Sequence, residues 1–407
     1  MYAAVSEQTH ECKQEADMKE LSNKLGFFTD SVIRKMTRIA QAYNAINLSQ
    51  GFPDFDPPEE LKRALERVAL GSIHQYSVTW GAKNFRDALA KKQSGFMGAD
   101  IDPDTQIAVT CGSTEAMMAA MMTVCNPGDK VIVFSPFYEN YAADAILSGA
   151  QPIYVPLHPP FFNFDIDQLE EAFKQNPKAL ILCNPSNPTG KVFTKEELET
   201  ISRFAEKYDT YVITDEVYEH IVYKPYKHTY FASLPGMSER TVSCSSLSKT
   251  YSITGWRLGY IIASPKIIEG ARKIHDFLTV GAAAPLQEAA VAALNFDGSY
   301  YDQLAAGYTE KKDLFLDGLK EIGLNFSTPQ GAYYVMVDVS RFGVTDDHHF
   351  AEWMAREVGV AAVPGSSFFR ENVNHFVRFH FAKKKETLSQ ALEKLSALPI
   401  KAREYRT

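Results

Sequence analysis

The chain has few cysteines and no long apolar run, and each shortage excludes a class of protein. Five cysteines, Cys12, Cys111, Cys125, Cys183 and Cys244, stand among 407 residues, and no two of them form a C-x-x-C pair. This usage argues against a secreted disulfide scaffold and predicts a reduced, cytoplasmic protein. No run of about 18 apolar residues occurs, so we predict no membrane-spanning segment.

The chain also lacks segments in which charge of one sign is concentrated. The formal net charge is -8, and no stripe of lysine or arginine appears along the chain. A nucleic-acid partner is therefore not expected. The composition, with 45% hydrophobic and 23% charged residues, is that of an ordinary globular protein. The length exceeds what one small core needs, which predicts a large domain and a smaller one.

Short apolar runs alternate with helix-like segments from about Asp104 onward. The runs are rich in valine and isoleucine and lack strict alternation, which is typical of strands buried on both faces. We therefore predict an α/β fold, with a mostly parallel sheet and helices on both faces. After about Asn295 strands and helices segregate, which indicates a smaller α+β domain. The predicted division is a tail at 1–29, a segment at 30–50 that packs with the small domain, a large domain at 51–295 and a small domain at 296–407.

Chemically distinct side chains follow successive predicted strands. Tyr138, Asn187, Asp215 and Lys249 each come just after an apolar run, and Cys111 begins a Gly-Ser-Thr segment that opens a helix. Ligands of open parallel sheets bind at the carboxyl ends of the strands, and a helix N-terminus binds phosphate. Alone, each residue has an ordinary interpretation as a cap, a turn or a surface charge. Their common position predicts one site for a phosphorylated ligand.

Several motifs resemble one enzyme family. They are NPSNPTG (184–190), DEVY (215–218), SSLSKTYSITGWRLGY (245–260) and VRFHFA (377–382), with NLSQGFPDF (47–55) and HQYSVTWG (74–81) nearer the N-terminus. In this order they resemble the fold-type I, pyridoxal-phosphate-dependent aminotransferases of class I, and the resemblance covers the chain from Asp30 onward. It implies pyridoxal 5'-phosphate as the cofactor.

The resemblance implies a role for each residue around the cofactor ring. Lys249 matches the lysine that forms a Schiff base with the cofactor, and Asp215 matches the carboxylate that pairs with its ring nitrogen. Tyr218 and Asn187 match residues that donate hydrogen bonds to the phenolic oxygen. Tyr138 matches the aromatic residue that stacks on the ring. The implied catalytic residues are Lys249, Asp215 and Tyr218.

The phosphate group has its own implied partners. Ser113, Thr114, Ser246 and Arg257 match a clamp made of a helix N-terminus, hydroxyl groups and a guanidinium. Tyr76 matches a tyrosine that reaches the phosphate from the neighbouring subunit. The resemblance therefore implies a homodimer whose active sites are shared across the interface.

Substrate binding is implied for a further group of residues. Arg378 matches the arginine that binds the α-carboxylate of the amino acid, with Gly51 and Asn187 beside it, and Ile33 and Tyr333 are expected in the side-chain pocket. The reaction implied is transfer of an amino group from an L-amino acid to a 2-oxo acid with ping-pong kinetics. Apolar pocket residues favour aromatic, methionine, glutamine or kynurenine substrates. Aspartate transamination and β-elimination by a C–S lyase are the alternatives.

Three interpretations from other classes are weaker. Ser246 and Lys249 form an S-x-x-K motif as in β-lactamases, but no K-T-G follows. Four histidines between 348 and 380 match no zinc spacing, so no metal site is predicted. A regulatory module would be fused to a DNA-binding segment. The roughly 30 residues that precede the predicted fold are too few and too acidic for such a segment.

Overall fold

The computed structural model describes residues 19–27 and 30–405. Cys12 and most of the predicted tail lie outside the described residues. Among the residues described, no helix combines the length and apolar character needed to cross a bilayer. The helices are α1 (Val32–Ala42), α2 (Glu59–Ala69), α3 (Lys83–Met97), α4 (Ser113–Val124), α5 (Asn140–Leu147), α6 (Ile166–Phe173), α7 (Lys195–Lys207), α8 (Pro265–Thr279), α9 (Ala284–Leu294), α10 (Gly298–Glu321), α11 (Asp347–Trp353), α12 (Lys385–Leu395) and α13 (Leu398–Lys401).

The strands form a large sheet, a four-stranded sheet and a short two-stranded pair. The strands are β1 (Ile46–Asn47), β2 (Ile107–Thr110), β3 (Lys130–Ser135), β4 (Gln151–His158), β5 (Asn163–Phe164), β6 (Ala179–Cys183), β7 (Tyr211–Asp215), β8 (Thr241–Ser246), β9 (Gly259–Ile262), β10 (Asn325–Ser327), β11 (Tyr334–Asp338), β12 (Val360–Ala361), β13 (Val363–Pro364) and β14 (Phe376–His380). The large sheet has eight strands in the order β2-β9-β8-β7-β6-β3-β4-β5, and the smaller sheet has the order β10-β11-β14-β13.

The large sheet confirms the predicted α/β class. Strands β4, β3, β6, β7 and β8 run parallel in that spatial order, and β9 is antiparallel to its neighbours. Its inner strands are buried on both faces. Apolar residues of α4, α5 and α8 cover one face, and those of α6 and α7 cover the other. The helices bury apolar side chains on both faces of the sheet. Because neither face of an inner strand meets water, its sequence is a continuous apolar run.

The smaller sheet is antiparallel and has a core of its own, to which α10, α11 and α12 contribute. The N-terminal segment joins this region, because β1 pairs in parallel with β12 and α1 packs beside β12 and β13. The segment between β1 and α2 then leads toward the large sheet, so Gly51 lies between the two sheets. A capping box opens α7, where the side chains of Thr194 and Glu197 accept hydrogen bonds from each other's backbone N–H groups.

Candidate active site

A cavity of about 430 Å³ opens where the carboxyl ends of the central strands face the smaller sheet. Eleven of the residues predicted from sequence line it. They are Ile33, Gly51, Ser113, Thr114, Tyr138, Asn187, Asp215, Tyr218, Lys249, Arg257 and Arg378. The large sheet supplies most of them, and β14 of the smaller sheet supplies Arg378. The fold therefore brings together residues that lie more than 300 positions apart in the chain.

Asp215 lies at the floor of the cavity, as the last residue of β7. Its side chain is buried, and its Oδ2 accepts a hydrogen bond of 2.7 Å from the Tyr141 hydroxyl. Burial raises the pKa of Asp215, while the hydrogen bond from Tyr141 and the charge of Lys249 act in the opposite direction. A carboxylate held in this way is ready to pair with a cationic group that enters the cavity.

Lys249 enters the cavity from the turn that follows β8. Its Nζ donates to the carbonyl oxygen of Gly51 at 3.2 Å and lies 6.0 Å from the centre of the Tyr218 ring. Desolvation by the surrounding groups lowers the pKa of Lys249 to about 8, although Asp215 opposes this shift. A lysine with such a pKa is partly neutral near physiological pH and can act as a nucleophile or base.

An anion cradle forms at the start of α4. Gly112 adopts φ of +83°, and a Cβ there would lie 2.3 Å from Nη2 of Arg257. Arg257 itself adopts left-handed backbone with φ of 54°, and its guanidinium donates to the carbonyl oxygen of Thr254 at 3.1 Å. Ser113 and Thr114, at the start of the helix, line the same cavity as Arg257. Such a set binds phosphate.

Arg378 is the deepest cation of the cavity and is 1% exposed. Its Nη1 donates to Oδ1 of Asn187 at 2.7 Å, and its Nη2 donates to the carbonyl oxygen of Ser49 at 2.8 Å. The guanidinium is stacked between two rings, 4.3 Å from the centre of Tyr334 and 4.6 Å from that of Phe368. The fork is thus held rigidly, with no carboxylate partner among the described residues, and it is ready to bind one from a ligand.

Three predicted residues do not line the cavity. Tyr333 is fully buried behind it and donates to the carbonyl oxygen of Gly51 at 2.9 Å, while its neighbour Tyr334 faces the cavity. The side chains of successive residues in an extended chain point to opposite sides. A prediction that is wrong by one position therefore selects Tyr333 in place of Tyr334. Ser246 is buried at the end of β8, and its hydroxyl accepts from the Ser248 N–H at 3.3 Å. Tyr76 is 86% exposed on the outer surface.

Sequence reasoning missed several residues that the structure places at the site. Tyr141 supports Asp215, and Tyr334 donates or accepts a 2.9 Å hydrogen bond with the Tyr218 hydroxyl. Arg34 and Glu139 line the outer part of the cavity. Tyr141 follows Tyr138, which precedes α5, by three positions, and the two rings pack edge to face with their centres 5.8 Å apart. The others depend on how separate elements pack.

A buried polar cluster anchors the loop that carries Tyr218. Glu219, the next residue, accepts hydrogen bonds from Gln93 at 3.0 Å, Tyr230 at 2.6 Å and Tyr260 at 3.1 Å. Lys92 lies 3.4 Å from the same carboxylate and 2.9 Å from Nε2 of His220. We name these six residues the Glu219 cluster. It lies behind the cavity and fixes the backbone on which Tyr218 stands.

The Glu219 cluster predicts a pH dependence of stability. Burial, together with the charge of Lys92, lowers the pKa of His220 to about 3, although the charge of Glu219 opposes this shift. The folded protein therefore keeps His220 neutral, whereas the unfolded chain binds a proton below its ordinary pKa near 6.5. The contribution of neutral His220 to the free energy of unfolding is therefore fully present above pH 6.5 and is lost as the pH falls toward 3.

We expect His220→Gln to reduce the acid sensitivity of folding. Between pH 6.5 and 5, the loss of unfolding free energy in the parent should exceed that in the variant by about 2 kcal/mol. Urea unfolding at the two pH values measures this difference. His348→Gln, a change at the start of α11, is the control and should keep the parent's slope. An equal slope in parent and His220→Gln would contradict the neutral state of His220.

The set of residues fits pyridoxal 5'-phosphate. An anion cradle suits its phosphate, an amine of lowered pKa suits its aldehyde, and a buried carboxylate suits its ring nitrogen. The close approach of β9 to the start of α4 depends on glycine, since a Cβ at Gly259 would lie 2.6 Å from the Ser113 nitrogen. Fold and residues together define a fold-type I enzyme that depends on pyridoxal phosphate.

Comparison with known proteins gives the family. The chain belongs to the aminotransferases of class I and II, whose family model matches residues 43–395. It is 36% identical to the methionine aminotransferase of Escherichia coli, over 92% of this chain and 98% of that protein. It is 33% identical to human kynurenine–oxoglutarate transaminase 1, over 89% and 94%. The solved N-succinyldiaminopimelate aminotransferase of Mycobacterium tuberculosis superimposes with a TM-score of 0.90 at 35% identity, covering 93% of this chain and all of that one. The chain is thus a pyridoxal-phosphate-dependent aminotransferase.

Proposed function

We propose that the enzyme transfers the amino group of an L-amino acid with an uncharged side chain to a 2-oxo acid, in a ping-pong cycle. The observation that carries this proposal is the joint opening of Lys249, Asp215 and Arg378 into one cavity. These three groups supply an amine, a carboxylate and a carboxylate-binding cation. Together they match what amino-group transfer from an α-amino acid requires.

Different residues of the chain would bind the phosphate and the ring of the cofactor. The N-terminus of α4 with Ser113, Thr114 and Arg257 holds the phosphate, and the Ser248 hydroxyl lies in the same cavity. Asp215 would pair with the ring nitrogen and favour its protonated form, and the hydrogen bond from Tyr141 keeps the carboxylate in place. The chemistry that pyridoxal phosphate supplies when bound is an electron sink for the substrate's α-carbon.

Proton movement falls to Lys249. Because its pKa is lowered to about 8, a useful share of the amine is neutral and accepts the proton of the α-carbon. Arg378 meanwhile holds the α-carboxylate through its two-pronged guanidinium, which fixes the orientation of the α-carbon toward the amine. Asn187 keeps that guanidinium in position.

The surroundings of the cavity support an uncharged side chain. Ile33, Phe52, Tyr138 and Tyr334 give it aromatic and apolar walls. These walls suit methionine, glutamine, kynurenine or aromatic amino acids, and the named relatives include enzymes for methionine and kynurenine. Thr114 stands at the start of α4, where a lysine would offer a cation to a second carboxylate.

A homodimer completes the site in this proposal. Tyr76 is 86% exposed and Phe277 is 92% exposed, with further exposed apolar side chains at Leu70, Val78 and Val280. The two segments adjoin, because Nε2 of His275 lies 2.8 Å from the carbonyl oxygen of Thr79. Several large apolar side chains exposed on adjoining segments are typical of a subunit interface. We infer that a second copy covers these side chains and that Tyr76 of each subunit reaches its neighbour's phosphate site.

Absorbance spectroscopy tests the proposal. The purified enzyme, supplied with pyridoxal phosphate, should show a visible band from the cofactor joined to Lys249. The band should bleach on addition of methionine, glutamine, phenylalanine or kynurenine and return on addition of a 2-oxo acid, since the two half-reactions are separate. A protein that acquires no band in excess cofactor would contradict the proposed function.

A further inference from the structure

The two ends of the cavity differ in polarity and exposure. Arg378 closes the inner end, where it is almost completely buried. At the outer end, the first turn of α1 approaches the loop after β3, and Ser31, Arg34 and Glu139 line the cavity there. A substrate whose α-carboxylate binds Arg378 directs its side chain away from that buried end. The outer residues are therefore placed to contact the end of the side chain.

Glu139 offers an unused hydrogen-bond acceptor at this outer end. It directly follows Tyr138, and its Oε1 accepts a hydrogen bond of 2.6 Å from the Ser31 hydroxyl. Its Oε2 accepts no hydrogen bond from any of the residues that the structure describes. The bond to Ser31 occupies one carboxylate oxygen of Glu139, on the half-buried wall of the cavity. The remaining oxygen is therefore free to accept a hydrogen bond from a ligand.

Arg34 supplies the complementary donor. Its side chain is exposed on the first turn of α1, and its guanidinium forms no hydrogen bond or ion pair within residues 19–27 and 30–405. It also forms no ion pair with Glu139, although both line the same cavity. Two opposite charges that face one cavity without pairing leave a donor and an acceptor for a third group.

We propose that Glu139 and Arg34 recognise the end of the substrate side chain and favour a terminal carboxamide, a specificity that rests on the proposed aminotransferase function. The NH₂ of the amide donates to Oε2 of Glu139, and its carbonyl oxygen accepts from the Arg34 guanidinium. A thioether of equal length satisfies neither group. A carboxylate of equal length satisfies Arg34 but is repelled by Glu139.

Three amino acids of matched length test this specificity: glutamine, methionine and glutamate. The holoenzyme should use glutamine with kcat/KM about tenfold above methionine, because the carboxamide satisfies two charged groups that the thioether leaves unpaired at a partly hydrated rim. Glu139→Leu and Arg34→Met should each remove most of that preference. The loss of kcat/KM should be clearly larger for glutamine than for methionine, because the methionine thioether meets neither group. Glu139→Leu should also raise kcat/KM for glutamate relative to glutamine.

Ser31→Ala is the matched control, since it removes the bond to Glu139 but keeps the carboxylate. The control should retain the preference for glutamine. If Ser31→Ala loses it as fully as Glu139→Leu, the carboxylate acts by holding α1 and the proposal is overturned. A parent enzyme that prefers glutamate, or that uses none of the three while keeping its cofactor band, also overturns it and leaves the aminotransferase function standing. Absence of the band would instead remove the proposed function itself.

Discussion

Replacing Lys249 by alanine is expected to lower the rate of transamination by about 10⁴-fold or more, since a positioned acid–base group alone contributes roughly 10²–10⁴-fold and the covalent role of the lysine is lost with it. Among the described residues that line the cavity, Lys249 carries the one amine. Single-turnover mixing of the cofactor-loaded variant with methionine measures the loss directly. The α-carbon proton then has no neutral base beside it.

The fold should survive this change. Lys249 makes one hydrogen bond, to the Gly51 carbonyl oxygen, and its desolvated charge costs stability in the protein without cofactor. We expect the unfolding free energy of the variant without cofactor to match or slightly exceed the parent's. Lys249→Arg is the matched variant, because it keeps a cation but has no nucleophilic amine. It should be as inactive as the alanine variant, and turnover in either would contradict the role of Lys249.

The central strands could be predicted because burial on both faces leaves a direct mark in the sequence. Runs such as those of β3 and β6 are apolar throughout, since neither face meets water. The reversal of β9 left no comparable mark. Residues 247–258, which join β8 to β9, contain a short 3₁₀ segment and no α-helix of the kind that usually joins parallel strands. This tight return also brings Arg257 against Gly112.

The inner half of the site was predictable because its motifs are local. Asp215 and Tyr218 lie within four residues, and Lys249 and Arg257 lie within nine, so each group is read from one segment. Residues such as Tyr334 and Glu139 instead enter through contacts between β11, α1 and the loop after β3. Those contacts depend on tertiary packing, which no local pattern encodes. The outer half, where side-chain specificity arises, is for this reason the part that sequence alone left open.

Replacing Arg378 by alanine is expected to raise KM for every amino acid by about 10²–10⁴-fold, the equivalent of two charge-assisted hydrogen bonds of roughly 1.5–3 kcal/mol each. The increase should be similar for glutamine, methionine and phenylalanine, because Arg378 binds the α-carboxylate that they share. Steady-state kinetics with the three substrates measures it. A loss confined to one substrate would instead place Arg378 in side-chain recognition.

Two comparisons separate carboxylate binding from a general loss of structure. Arg378→Lys keeps the charge but not the fork, so it should recover only part of the affinity. The amine that lacks the carboxylate of methionine, 3-(methylthio)propylamine, should react slowly and equally with the parent and with Arg378→Ala. Truncation also leaves Oδ1 of Asn187 and the Ser49 carbonyl oxygen without their donor, so some loss of stability accompanies it. Equal reactivity with the amine is the decisive result, because damage to the rest of the site would slow that reaction too.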